Sequence, residues 1–294
     1  MRETFHLVGP RPLPPPPPQP KAPWYRGKPI PAAVVLSAVL LGCLFCEAIM
    51  TADPTYLDLT QCSLPPSGAH YFGTDTMGRD IFSMIWYGGR ISLTIGALST
   101  VLSTLLAMVT GTLSGLAPRW LDQAIMRCTE ILLSIPNLLL VIMLQAILGQ
   151  ASVWTLSLVI GVTGWTSIAK VVRTEVRQLR NSEYVLAARS MGGGFFYILF
   201  RHLAPNFLSS ILFMVVMNFR SAVLSESTLS FIGMGLPVEI ISWGSMLSLA
   251  EKALLSGSWW IILTPGLFLV AVLMSVTSLG GYLRQLTDRR AGNL

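Results

Sequence analysis

Long apolar runs dominate this chain, separated by short stretches where glycine, proline and charged residues collect. Six of the runs reach the roughly 20 residues needed to cross about 30 Å of hydrocarbon. They cover 30–50, 90–117, 123–148, 153–172, 206–228 and 259–283. The pattern predicts an all-α, polytopic membrane protein with six transmembrane helices. The second run carries Gly96, Thr100, Ser103, Ala107, Gly111 and Ser114 every three or four residues, and Gly111 with Gly115 forms a GxxxG. Small residues at that spacing let two helix backbones approach closely, which predicts packing and says nothing of a ligand. Pro136 and Pro265 fall inside the third and sixth runs, where each frees a carbonyl and permits a kink. Ahead of the first run, Pro14 to Pro18 favour an extended spacer, so residues 1–29 are expected to form a tail and not a signal peptide.

Composition agrees with the pattern. Hydrophobic residues make up 52% and charged ones 12%, against about 25% charged in soluble domains. The formal charge of +6 raises the question of nucleic acid, but the positions of the charges answer it. With the N-terminus in the cytoplasm, sixteen of the twenty Lys and Arg residues fall on that side; Arg79, Arg90, Lys252 and the mid-run Arg220 are the exceptions. Asp53, Asp58, Asp75, Asp80, Glu239 and Glu251 collect on the opposite side. Both termini are thus expected inside, with lipid and not nucleic acid as the surrounding partner. Cys43 and Cys46 make a CxxC within an apolar run and have no second pair, and His6, His70 and His202 are scattered. No metal site is expected. There is no GxxxxGK[ST] loop to cradle a nucleotide, no HExxH and no nucleophile elbow. No catalytic residues or cofactors are assigned, and any energy input must come from a partner.

The segment between the fourth and fifth runs, about 33 residues, is too long for a plain connection. Ser182 is placed to cap a helix starting at Glu183, and Gly192-Gly193-Gly194 to stop it. A second short segment, Phe195 to Leu203, leads to Pro205 and Asn206. The product is a basic helical knob on the cytoplasmic side, in which Ala187 and Ala188 leave room for another protein. A helix lying on anionic lipid fits the same residues.

Tyr184-Val185-Leu186-Ala187-Ala188-Arg189-Ser190-Met191-Gly192, followed by Arg201-His202-Leu203-Ala204-Pro205-Asn206, resembles the EAA loop of ABC importer permeases. The alanine pair, Gly192 four residues after Ala188, and Pro205 thirteen beyond it fall in register. In that family the loop is the coupling helix that docks on the ATP-binding subunit, so the resemblance points to Glu183, Ala187, Ala188, Arg189, Gly192 and Pro205 as contacts. The glutamate of the motif falls on Leu186, with Glu183 one turn earlier.

Further stretches resemble the dipeptide, oligopeptide and nickel branch. They are Phe72 to Ser83 with Gly89 to Leu93, Ser225 to Gly235 with Ser242 to Leu247, and Pro265-Gly266 with Leu279 to Arg284, where Tyr282 replaces the usual aspartate. The resemblance implies a type I importer fold. Its parts are a first span (30–50), an outer segment (51–89), a five-helix core (90–283) with a coupling loop at 173–205, and a tail at 291–294. It also implies a second related permease, two ATP-binding subunits and an extracytoplasmic solute-binding protein. Asp75, Gly78, Arg79, Asp80, Trp243 and Gly244 are the expected outer gate and docking residues, with Asp75, Arg79 and Asp80 locking a turn around Gly78. The solute stays open among dipeptides, longer peptides, nickel and metal–chelate complexes. The rival class, an ion-coupled carrier, would show internal repeats and midplane carboxylates; no repeat is evident.

Arg220, Met214, Met217 and Glu226 are the candidates for the translocation path. Methionine is also an ordinary apolar filler. Arg220 lies mid-span, where a charge costs at least about 2.5–3.5 kcal/mol on insertion scales. Glu226 sits about 120° around the helix from it, so the two do not pair. Either Arg220 faces the path and offers its charge to an anionic group, or it pairs with an acidic residue or carbonyls of another subunit.

Overall fold

The computed structural model describes residues 29–180, 182–192, 194, 197, 201, 204–255 and 257–291. The Pro-rich tail up to residue 28, most of 193–203 and the last three residues lie outside it. The described part is helical, and its only extended pairing is an isolated bridge between Thr74 and Asp80. In order come α1 (Ile30–Leu44), α2 (Cys46–Ile49), α3 (Ile81–Leu116), α4 (Arg119–Ser134), α5 (Asn137–Leu148), α6 (Val153–Thr163) and α7 (Thr166–Leu179). Then follow α8 (Glu183–Ser190), α9 (Ala204–Phe231), α10 (Trp243–Leu255) and α11 (Trp260–Ala291).

Helix α3 is the axle of the bundle, packing on α1, α4, α6, α7, α9, α10 and α11. It starts nine residues before the expected span because Asp80 caps it. The carboxylate accepts from the Ser83 backbone at 2.9 Å and from the Ser83 hydroxyl at 2.7 Å. Hydropathy alone missed this turn, since Gly88, Gly89 and Arg90 interrupt the apolar run although Ile81, Met84 and Ile85 are buried. The small residues along α3 face inward. A Cβ on Gly111 would stand 2.7 Å from the Ala169 carbonyl oxygen and from the Val172 Cβ, so the GxxxG serves contact with α7 of the same chain.

The first expected span is split at Phe45 into α1 and α2, and two others are sharply bent. Helices α4 and α5 meet at Pro136 with a bend of 94°, and α6 and α7 meet at Gly164–Trp165 with a bend of 45°. Pro136 cannot donate to the preceding turn, which explains the first break. Helix α11, in contrast, runs on through Pro265. By length and hydropathy α3 and α11 each suffice to cross a membrane, and each bent pair suffices if counted as one span.

Three apolar clusters fill the interior. One gathers α1, the start of α3, α10 and α11 around Trp243. A second joins α3, α7, α8 and α9 through Val172, Val176, Val185 and Ile211. The third joins α3, α5, α6 and α9 through Ile95, Val141, Leu156 and Leu229.

Because α7 lies directly on Gly111, Gly111→Leu is expected to destabilise the chain by about 1–3 kcal/mol through overpacking. Thermal aggregation of the solubilised chain reads this out, and an unchanged midpoint would contradict the packing.

Candidate functional site

At the end of the bundle where α3 begins, residues 51–80 fold back as a compact plug. The Asp75 carboxylate accepts from the Met77 backbone at 2.8 Å and, across Gly78, from the Arg79 backbone at 2.9 Å and Arg79 Nε at 2.7 Å. Asp75, Arg79 and Asp80 are buried. Gly78 has φ of +77°, and a Cβ there would lie 1.8 Å from the Asp58 carbonyl oxygen. No residue with a side chain fits that turn. Asp80 also takes a bond from the Thr51 hydroxyl at 3.0 Å and contacts His70 Nδ1 at 2.9 Å. His70 Nε2 contacts Gln61, which in turn donates to Asp58. Burial pushes the Asp80 carboxyl up, and the bonds from His70, Ser83 and Thr51 outweigh it, so the group sits below the ordinary aspartate value. Trp260 Nε1 donates to the Thr74 carbonyl at 3.2 Å, tying the plug to α11.

Glu226 lies beneath this plug. Its side chain is fully enclosed and accepts hydroxyl bonds from Ser92 at 2.9 Å, Ser242 at 2.8 Å, Ser230 at 3.1 Å and Ser227 at 3.3 Å. These come from α3, from the turn before α10, and from α9 itself. Ser92 Oγ also accepts from the Trp243 backbone, while Trp243 Nε1 donates to the Ile85 carbonyl at 3.0 Å. A Cβ on Gly244 would meet Ser227 Cα at 2.7 Å, which explains a glycine there. Glu226, a candidate for the path, thus faces the interior of this chain and joins three elements. Trp243 is likewise buried, and so is not part of an open docking surface of the single chain.

At the opposite end, Asp122 forms a clip that the sequence reading missed. It accepts from Ser114 Oγ at 2.6 Å, from Arg173 Nε at 2.5 Å and Nη2 at 2.8 Å, and from Arg177 Nη2 at 2.6 Å. Arg180 Nη1 donates to the Gly115 carbonyl at 2.9 Å, at the end of α3. Basic residues counted only for orientation therefore also bind α7 to α3 and α4. The signal available was one acidic residue, Asp122, within a cluster of arginines.

Helix α8 sits on this platform. Its first turn differs from the expected cap, because the Ser182 hydroxyl donates back to the Leu179 carbonyl at 2.6 Å. The Ser182 carbonyl accepts from Val185 and Leu186 instead. Val185 and Ala188 are buried against α7 and α9, while Leu186, Ala187 and Met191 are exposed. The alanine pair is therefore split: Ala187 faces out and Ala188 packs within the chain, a correction to their expected joint role. The helical period requires this, since adjacent positions differ by about 100°. Gly192 has φ of +83° with open space around it and ends the helix as expected. Glu183 begins α8 and is exposed, and Pro205 falls in the first turn of α9. The side chain of Arg189 and most of the 195–203 segment lie outside the described residues.

Midway along the bundle a cavity of about 460 Å³ opens where the two broken spans meet. Its walls include Asn137, Gly164, Thr166, Met214, Met217, Asn218 and Ser221. Asn218 Nδ2 donates to Ser103 Oγ. Met214 and Met217 thus line an open space as well as packing, with Met217 also close to Gly280. Arg220 lies on the other side of the same α9 strip, in a second cleft of about 470 Å³ against α11.

Comparison with known proteins gives a consistent result. The family described as "Binding-protein-dependent transport system inner membrane component" matches residues 103–292. The dipeptide transport system permease protein DppC of Bacillus subtilis (strain 168) is 36% identical over 230 residues, covering 78% of this chain and 72% of that protein. The oligopeptide transport system permease protein OppC of the same organism is 34% identical over 255 residues, 87% of this chain and 83% of that one. The probable D,D-dipeptide transport system permease protein DdpC of Escherichia coli (strain K12) is 32% identical over 269 residues, 91% and 90% respectively.

Asp80, held ionised by its partners, contributes stability that is complete above its unfolded value of about 3.9 and is lost as pH falls below it. The 51–80 plug is expected to resist protease at neutral pH and to open below about pH 4, and Asp80→Asn should open it at pH 7; equal cleavage across these conditions would contradict the assignment. Asp122→Asn should speed tryptic cleavage after Arg173, Arg177 and Arg180 in the solubilised chain. Cleavage at the native rate would mean the clip does not hold α7.

Proposed function

This chain belongs to the family of binding-protein-dependent transport system inner membrane components, and on that premise we propose that it is a permease subunit of an ATP-driven importer of peptides. The relatives compared above are named for dipeptides, oligopeptides and D,D-dipeptides, and none of the three is named for nickel or a metallophore. Peptides are therefore the solute class of this reading. The chain spans the membrane six times with both termini in the cytoplasm, pairs with a second related permease, and takes its energy from two ATP-binding subunits. A solute-binding protein delivers cargo to the end formed by the 51–80 plug and α10.

The observation that carries the reading is the two-faced helix α8. Its inner face, Val185 and Ala188, is fixed to the α7 platform, and its outer face presents Leu186, Ala187 and Met191. A helix anchored in this way transmits a push on its outer face to α7 instead of yielding locally. Closure of the ATPase pair would move α8 and turn the path outward, and hydrolysis would reset it. Both steps require contacts that differ between the two states. Glu183, Ala187, Arg189, Gly192 and Pro205 form the docking side in this scheme, Ala188 holds it in place, and Asp75, Gly78, Arg79, Asp80, Trp243 and Gly244 brace the outer end. Met214, Met217 and Arg220 border the route, and Glu226 supports its wall. On this reading Leu186, where the family motif has glutamate, makes an apolar contact with the ATPase groove.

The test separates the two alanines. Ala187→Arg is expected to leave the chain folded and inserted, to weaken co-purification of the ATP-binding subunits, and to reduce peptide uptake at least tenfold. Ala188→Arg should instead lower the amount of chain in the membrane. Full uptake with Ala187→Arg would sink the coupling assignment.

A further inference from the structure

Arg220 has no purpose in the packing just described. It lies near the middle of α9, sixteen residues after Ala204 and eleven before Phe231. Its Nε is enclosed and has no hydrogen-bond partner, and no ion pair among the described residues includes it. Yet the residue borders open space. The cleft beside it, about 470 Å³, is walled by Val270, Leu273, Met274, Thr277 and Ser278 of α11. An enclosed guanidinium donor left unpaired among the described residues would be satisfied by an acceptor that enters this cleft.

The neighbouring residues indicate what kind of acceptor. Met217, Arg220, Ser221 and Leu224 stand three or four positions apart in succession or side by side, so they share one strip of α9. Met217 and Ser221 also line the larger mid-bundle cavity, whose walls carry Asn137, Thr166 and Asn218 and not one charged side chain. The strip thus separates two spaces, one offering a single positive charge and the other uncharged hydrogen-bonding groups on an apolar wall. The Arg220 cleft, with the hydroxyls of Thr277 and Ser278 on an otherwise apolar wall, suits an anionic group carried on an uncharged body.

We propose that Arg220 binds a carboxylate of the passing solute in the cleft it forms against α11. This rests on the permease reading above and narrows it to cargo with a free carboxyl group. The planar fork of arginine suits bidentate carboxylate binding. Because a route must release what it holds, one unreinforced guanidinium fits better than a cluster.

Two measurements on the complete transporter in membrane vesicles test it. The first is labelling of Arg220 by hydroxyphenylglyoxal, read by mass spectrometry. Arg220 is expected to react in at least one of the nucleotide-free and ATP-trapped states. Trialanine or succinate should slow the reaction, and trialanine amide or succinamide should not. Absence of labelling in both states, or equal protection by acid and amide, overturns the proposal. The second is uptake of radiolabelled trialanine. Arg220→Met should lower it at least tenfold with subunit co-purification unchanged, and Arg220→Lys should stay within threefold of native. A complex that falls apart in Arg220→Met, or unaltered uptake, overturns it as well. Native transporter that takes up no trialanine counts against peptides as cargo, a failure of the parent reading, and the labelling experiment still decides Arg220.

Discussion

Four serine hydroxyls converging on one enclosed carboxyl group set the arrangement of the upper bundle. Glu226 cannot be left without partners away from water, and the partners it has come from three separate elements. Ser92 fixes the rotation of α3 and Ser242 fixes where α10 begins. Through Ser92 the network reaches Trp243, whose indole spans to Ile85. Each bond is modest, but removing the shared acceptor would strand several donors together, so the group acts as a unit. The plug, α10 and the start of α11 are all built on that fixed arrangement.

The lower end is organised by a second carboxylate in a different setting. Asp122 is held by two arginines that remain partly exposed, so its bonds are more screened than those around Glu226. The two ends therefore differ in character. One is a closed network of neutral donors around an acid, and the other an open ionic clip beside a helix whose outer face is exposed.

Much of this architecture can be read in the sequence, and the exceptions have physical causes. The long apolar helices α3 and α11 follow from hydropathy because lipid imposes a length. The turn at Gly78 is legible because Asp75 and Arg79 are four residues apart and complete their bonds locally. Gly192 is legible as a stop for the same reason. Positions that depend on distant partners are not. The bonding of Glu226 is hidden because its four hydroxyl donors are ordinary serines, two of them outside its own helix. Ala187 and Ala188 looked equivalent until the platform beneath them was known. The start of α3 was misplaced because hydropathy averages over an arginine and two glycines, while the helix responds to its cap. Asp122 went unnoticed because counting charges by sign sets the acidic member aside.

The break at Gly164 gives α7 mechanical leverage. The helix is a rod of fourteen residues, about 21 Å long at 1.5 Å per residue, with α8 mounted at one end and the mid-bundle cavity at the other. If Gly164–Trp165 is the pivot, a tilt of about 10° displaces the far end by roughly 4 Å, from the same length. The clip at Asp122 grips this rod through Arg173 and Arg177, from its midpoint towards the α8 end, where a given restoring force has the larger torque. A displacement of α8 would thus reach the mid-bundle cavity as a small rotation of its wall, a reduction in amplitude set by the length of one helix.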